Sequence, residues 1–178
     1  ILIRKIQLIA AQYEKALTPI FSYSKDHYYR VYFRTEKAKT TCDAILTQHQ
    51  YFHYCNNCTM QATSEKNTLN CLECGKQTIW AGPLWIGQIQ DKTITKTMLQ
   101  NAPNEIKKFI RAVDAEAQND IVGFYDLHKL SETTKKHIPQ TEVAISALRN
   151  KSYAASATHF SAHAIKTNAP PSELLKLF

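Results

Sequence analysis

Cys55-Asn56-Asn57-Cys58 and Cys71-Leu72-Glu73-Cys74-Gly75 stand twelve residues apart, and together they read C-x2-C-x12-C-x2-C. This is the spacing of a zinc ribbon. Each C-x2-C folds as a tight knuckle that aims two thiolates at one point, and Gly75 frees the backbone to turn after the second. Four thiolates close a tetrahedral shell with no position left for water or substrate, so the expected zinc is structural and does no chemistry. The expected ligands are Cys55, Cys58, Cys71 and Cys74. Other cysteine chemistry fits less well. A thioredoxin-type C-x-x-C works alone, after a strand and before a helix. Two disulfides suit a secreted chain, and nothing here resembles a secretory signal. A zinc deaminase needs a His-x-Glu ahead of its cysteine pair, and none is present.

Outward from the ribbon, composition sets the class. The chain has 178 residues, 44% of them hydrophobic, enough to bury a core as one large or two small domains. Its longest apolar runs fall well short of the roughly 18 residues a membrane span needs. Five cysteines, four of them in the ribbon, suit a reducing, intracellular and cytoplasmic setting, with Cys42 a small buried side chain. The net charge is +7, from 22 Lys and Arg against 15 Asp and Glu. With nine tyrosines and seven histidines among the basic residues, the surface suits a polyanion as well as it suits mere solubility. The chain opens at Ile1 without a Met, inside an apparent helix, as a piece of a longer protein would.

Before the ribbon, Leu2, Ile6, Ile9 and Tyr13 predict an amphipathic helix over 2–17 with that stripe inward, ended by Pro19. A short strand over 20–24, a turn at Asp26-His27 and an alternating strand over 28–34 follow. In the second strand Tyr28, Arg30, Tyr32 and Arg34 share a face that either stacks on bases and meets phosphates or is simply solvated. A helix over 40–48 and a strand over 50–54 lead into the first knuckle. The segment 61–70 reads as the hairpin tip, 76–80 as the returning strand and Ala81–Trp85 as a turn, with Trp80 and Trp85 in the core.

After the ribbon, Asp91 caps a helix over 92–101. Pro103 separates it from a second helix striped by Ile106, Phe109, Ile110 and Val113. Asp126 caps a third, and Thr141 begins a fourth with Val143, Ala147 and Leu148 inward. Strands over 153–159 and 165–167 and a last turn after Pro170-Pro171 complete the chain. Helix, break, helix and strand pair is the layout of a winged-helix-like unit. Only Arg149 and Lys151 gather at the end of its last helix, so major-groove reading is not implied.

The predicted fold is therefore α+β: mixed helices and small antiparallel sheets, a zinc-ribbon hairpin at about 51–80, and a winged-helix-like C-terminal unit. The predicted boundary separates an α+β subdomain over 1–102 from a helical subdomain over 103–178. There is no Gly-rich phosphate loop and no G-x-S-x-G, and the four glycines never form G-x-G. His159 and His163, four apart in a loop, read as surface residues.

Several blocks resemble the C-terminal half of the tRNA (guanine(26)-N2)-dimethyltransferase family. They are Ser22-Tyr23-Ser24-Lys25-Asp26-His27-Tyr28-Tyr29-Arg30-Val31, Ala81-Gly82-Pro83-Leu84-Trp85-Ile86-Gly87 and Phe124-Tyr125-Asp126-Leu127-His128. The longest runs from Ala147-Leu148-Arg149 through Tyr153 and Thr158-His159-Phe160-Ser161 to Ala164-Ile165-Lys166-Thr167-Asn168-Ala169-Pro170. Order and spacing fit over nearly the whole chain. Gln88 stands where the family has Pro, Ala164 where it has Gly, and Ser152 where Gly precedes the Tyr.

The resemblance implies an S-adenosylmethionine-dependent enzyme that methylates a guanine exocyclic amine in tRNA. An N-terminal Rossmann-like domain would hold the cofactor and the catalytic carboxylate, and this chain would be the half that helps hold tRNA. No catalytic residue is then expected here. Arg30, Arg34, Arg149, His159 and Lys166 are expected to face the tRNA backbone, by position in the matched blocks and by charge. Asp26, His27 and Tyr28 are expected either to contact RNA or to pack on the N-terminal methyltransferase domain. A stand-alone zinc-ribbon module binding nucleic acid, or docking on a protein partner, is the alternative reading.

Overall fold

Glu14 decides where the first helix stops. Its backbone is left-handed (φ 57°), so α1 (Leu2–Ala11) ends well before residue 17 and β1 (Lys15–Lys25) begins at once. Pro19 lies inside β1, which is tolerable because β1 and β2 (Tyr28–Lys37) form a sheet of only two strands. The computed structural model describes residues 1–178, which divide into two units. One comprises Ile1–Phe21 and Val31–Ile89, the other Ser22–Arg30 and Gln90–Phe178, so the base of the β1–β2 hairpin is counted with the first and its tip with the second. No helix is long and apolar enough to cross a membrane.

In the first unit α2 (Lys39–Thr47) precedes an antiparallel sheet in which β3 (His49–Tyr54) lies between β4 (Gln61–Ser64) and β5 (Ile79–Trp85). Ala16, Cys42, Ile45 and Trp85 form its core, joined by Ile3, Ala11 and Ile89. The inward face of α1 is not the expected one. Ile3, Gln7 and Ala11 turn inward, while Leu2, Ile9 and Tyr13 are exposed. Gln7, 1% exposed, is satisfied at both ends: its Nε2 donates to the Leu17 carbonyl (2.9 Å) and its Oε1 meets His49 Nε2 (2.8 Å). Burial first, then the Arg4 charge, pushes the His49 pKa down, so the neutral ring donates this bond. A helix apolar on two sides offers two candidate stripes, and periodicity cannot choose between them.

The segment expected to turn at Ala81–Trp85 is instead strand. Gly82 (φ 134°) follows a cis-joined path into Pro83, and the β3–β5 register shifts between Gln50 and Phe52 opposite it. A Cβ on Gly82 would sit 3.1 Å from the Gln50 carbonyl oxygen, so the irregularity needs glycine. Trp85 is in the core, its Nε1 donating to the Gln88 carbonyl (3.0 Å), whereas Trp80 is 49% exposed and packs edge-on against Tyr51.

In the second unit Asp91 caps α3 (Lys92–Asn101) by accepting from the Thr93 and Ile94 N–H groups. Thr95 of α3, fully buried, donates to Asp114 (2.8 Å) of α4 (Asn104–Asn119). This buried contact ties α3 to α4, and both helices belong to the unit that resumes at Gln90. Then come β6 (Tyr125–Asp126), α5 (Leu127–Thr134) capped by Asp126, α6 (Thr141–Asn150), β7 (Ala155–Ala157) and β8 (Ala164–Thr167). The antiparallel sheet order is β6-β8-β7. A short α7 (Pro171–Leu174) and a 3-10 turn close the chain. Leu127, Leu130, Leu148, Ile165 and Leu174 are essentially buried in the core. On α6 the inward residues are Ala144, Ile145 and Leu148, and Val143, expected inward, is exposed.

Candidate metal centre, buried carboxylate cluster and basic surface

The two cysteine knuckles are structural copies. In the first, Cys55 N–H donates to the Met60 carbonyl (2.9 Å) and Thr59 N–H to the Cys55 carbonyl (2.8 Å). In the second, at the same offsets, Cys71 N–H donates to Lys76 (2.7 Å) and Gly75 N–H to Cys71 (2.8 Å). Equivalent residues take the left-handed conformation, Thr59 at φ 65° and Gly75 at φ 72°. Glycine does so freely. The β-branched Thr59 carries strain of about 1–3 kcal/mol, partly offset where its hydroxyl donates to the Cys58 carbonyl (2.6 Å).

The knuckles bring all four Sγ atoms within 4.8 Å of one another. Cys55 Sγ lies 3.5 Å from Cys74 Sγ, and Cys58 Sγ lies 3.3 Å from Cys71 Sγ. A tetrahedral ion with metal–sulfur bonds of about 2.3 Å has edges of about 3.8 Å, so this donor set can hold one metal ion in a closed shell. Without metal, burial pushes the Cys58 thiol up to about 12, while the Lys76 backbone N–H leads in drawing Cys74 down to about 7. Behind the cluster His53, fully buried, spans the hairpin between Thr78 Oγ1 and the Lys66 carbonyl (2.9 Å each).

A second polar cluster escaped the sequence reading. Glu116 of α4 is 3% exposed. Its Oε1 accepts both the backbone N–H and the Nδ1 proton of His159 (2.6 Å each), and its Oε2 faces Lys166 Nζ at 3.4 Å. His159 Nε2 accepts the Ser24 N–H (3.0 Å), which places the ring proton on Nδ1. Two residues earlier on β1, the Gln90 side chain bonds both backbone groups of Ser22, donating to its carbonyl (2.5 Å) and accepting its N–H (3.1 Å). The outer edge of β1 at the hairpin tip is thus closed by two side chains instead of a third strand. Tyr23 packs edge-on against Phe109, and Phe109 edge-on against His159. A signal for Glu116 was present: it continues the buried α4 positions Ile110 and Val113 at spacings of three, where a carboxylate demands partners.

His159 and Lys166, expected to face a polyanion, instead turn inward, with side chains 4% and 11% exposed. Arg30, Arg34 and Arg149 are exposed as expected. The Arg30 guanidinium lies 5.2 Å over the Tyr28 ring, and Arg149 Nε donates to the Ala155 carbonyl (2.9 Å). Asp26 and His27 are exposed at the turn, Asp26 left-handed (φ 51°), and Tyr29 beside them is 72% exposed. Arg30 and the turn residues therefore share the hairpin tip, whereas Arg34 and Arg149 belong to different units.

The profile of the TRM family, N2,N2-dimethylguanosine tRNA methyltransferase, matches residues 1–178. The chain belongs to this family. Among its relatives is the tRNA (guanine(26)-N(2)/guanine(27)-N(2))-dimethyltransferase of Aquifex aeolicus, 33% identical over 99% of this chain and 46% of that protein. The tRNA (guanine(26)-N(2))-dimethyltransferase of Methanobrevibacter smithii is 31% identical over 93% of this chain and 45% of its own length. Among solved structures, Trm1 from Pyrococcus horikoshii in complex with S-adenosyl-L-methionine superposes with a TM-score of 0.83 at 27% identity, covering 99% of this chain and 47% of that one. The TRM-family chain described here thus spans under half the length of these relatives, and it matches their C-terminal part.

Proposed function

We propose that this chain is the tRNA-holding C-terminal half of an S-adenosylmethionine-dependent tRNA (guanine(26)-N2)-dimethyltransferase, working in the cytoplasm. The observation that carries the reading is the match of residues 1–178 to the family profile, with 93–99% of the chain matching the C-terminal part of the relatives named above. On this reading the cofactor and the catalytic groups belong to the N-terminal half of the full protein. The cysteine cluster holds zinc, and a closed tetrathiolate supplies shape and no reaction step. The element order α4-β6-α5-α6-β7-β8 with sheet order β6-β8-β7 supports a winged-helix-like reading of the second unit.

Arg30, Arg34 and Arg149 are the proposed contacts to the tRNA backbone, with Asp26, His27 and Tyr28 beside Arg30. His159 and Lys166 serve by holding Glu116 and the hairpin tip. Contacts to folded RNA go mainly to phosphate and 2′-hydroxyl groups, which suits scattered arginines with one exposed aromatic loop. Titration of the full-length protein with tRNA at several salt concentrations tests the assignment. Each of Arg30→Ala, Arg34→Ala and Arg149→Ala should weaken binding and reduce the salt slope by roughly 0.7–0.9. Unchanged affinity and slope in all three would remove the assignment.

A further inference from the structure

In the second unit the hairpin tip and the loop between β7 and β8 are the two ends of one string of rings. From the tip, His27 meets Tyr28, Tyr28 meets Tyr23 and Tyr23 meets Phe109. Phe109 then meets His159, His159 meets Phe160, and Phe160 meets Phe124. Every pair is edge-on, with centroids 5.0–6.2 Å apart. The middle of the string is pinned, because Glu116 holds the His159 ring and His159 Nε2 accepts the Ser24 N–H. The loop is tied down as well: Thr158 Oγ1 donates to the Ser161 carbonyl (3.0 Å), and the His163 carbonyl accepts the Leu127 N–H (2.9 Å). Its outer end is open to water. Phe160 is 39% and Phe124 45% exposed, and in the same two segments the exposed imidazoles of His128 and His163 meet edge-on, 4.6 Å apart.

We infer that Phe160 and Phe124 form a stacking site for unpaired bases of RNA, carried on the same body as the hairpin tip; this rests on the functional reading above. Charge and ring type select that ligand. Over 24–30, 124–129 and 158–163 the exposed cations and imidazoles are Lys25, His27, Arg30, His128, Lys129 and His163. Against them stand Asp26 and Asp126, and Asp126 is engaged in capping α5. In the same segments the exposed large apolar side chains, Tyr29, Phe124 and Phe160, are all aromatic. Rings set among cations hold a single-stranded polyanion in two ways at once: the rings stack on base faces and the cations meet phosphates. Phe160, gripped between Phe124 and His159, also has little rotamer freedom left to lose on binding. Arg30 at one end of the string and Phe160 at the other therefore engage one RNA together.

The test titrates the full-length protein with tRNA at several salt concentrations, with Phe160→Leu and Phe160→Trp beside the wild type. Leucine keeps apolar packing and removes the ring face, so Phe160→Leu should weaken binding roughly five- to a hundredfold. A lost stack releases no counterions, so the salt slope should stay at the wild-type value, unlike that of the arginine variants. Phe160→Trp should bind more tightly than Phe160→Leu, and its added indole fluorescence should be quenched by tRNA. That quenching decides the matter even where Phe160→Leu fails to fold. Wild-type affinity in Phe160→Leu, or an unquenched indole in Phe160→Trp, would overturn the stacking site alone. If Phe160→Leu lowers the melting temperature of the full-length protein while its tRNA affinity holds, a protein surface covers the rings and the inference is wrong. A wild-type protein that does not bind tRNA would overturn the functional reading instead.

Discussion

Two hairpins in this molecule are held by opposite means. The ribbon hairpin is closed by cysteines at most 19 residues apart, through two knuckles that repeat the same backbone bonds. The tip of the β1–β2 hairpin is closed by Gln90, 68 residues away, and by His159, 135 residues away. The first device depends on local spacing and on a cysteine cluster able to hold an ion. The second depends on a buried carboxylate that aligns His159, and so exists only when the second unit is folded. One can fail without the other, and that independence is what can be broken or sharpened.

The largest effect should come from the metal. Binding energies of about 10–16 kcal/mol are typical of such closed thiolate sites, far more than Cys55, Met60 and Cys71 can supply as a core. Chelation or Cys58→Ser should therefore unfold the ribbon while leaving the second unit intact. Hydrogen exchange should show amides such as Cys55 and Thr78 lose protection, while Leu148 and Ile165 keep theirs. Retained protection in the ribbon after metal removal would mean its side chains suffice.

Next is the carboxylate cluster. Glu116→Ala leaves the buried His159 Nδ1–H without its acceptor and the Lys166 ammonium without its counter-charge, which should cost about 3–5 kcal/mol by urea denaturation. The loss should be confined to the second unit, with the metal content of the ribbon unchanged. A smaller effect is expected at Gly87, where an added Cβ would lie 2.3 Å from both the Trp85 ring and Gln48 Oε1. Gly87→Ala should destabilise the first unit by about 1–3 kcal/mol, read from thermal unfolding.

The smallest is a pH effect through His49. Its pKa is lowered in the folded protein by burial and by Arg4, so the unfolded state binds the proton more readily. The stabilising contribution is present above the ordinary value of 6.5 and is lost as pH falls through the folded one. The urea midpoint of the first unit should fall over that window, and His49→Asn should flatten the dependence.

Much of this was legible from spacing. The convergence of the four cysteines, the Asp91 and Asp126 caps, the burial of Cys42, the bounds of α3 and the start of α6 follow from short-range rules, because caps and knuckles are made within a few residues. The errors share a cause. Choosing the inward side of α1, keeping Trp80 out of the core and sending His159 and Lys166 inward all required knowing which distant residue stood opposite.

By itself the sequence determined the cysteine cluster, the alternation of helices and small sheets, and the family, since each rests on residue identity at fixed offsets. Tertiary structure alone decided that Glu116 would be buried against His159 and Lys166 and that Ile3, Gln7 and Ala11 would be the inward side of α1. The physical reason is that a buried charge or an uncovered apolar face is defined by its surroundings, and those surroundings are assembled from parts of the chain that no local pattern connects.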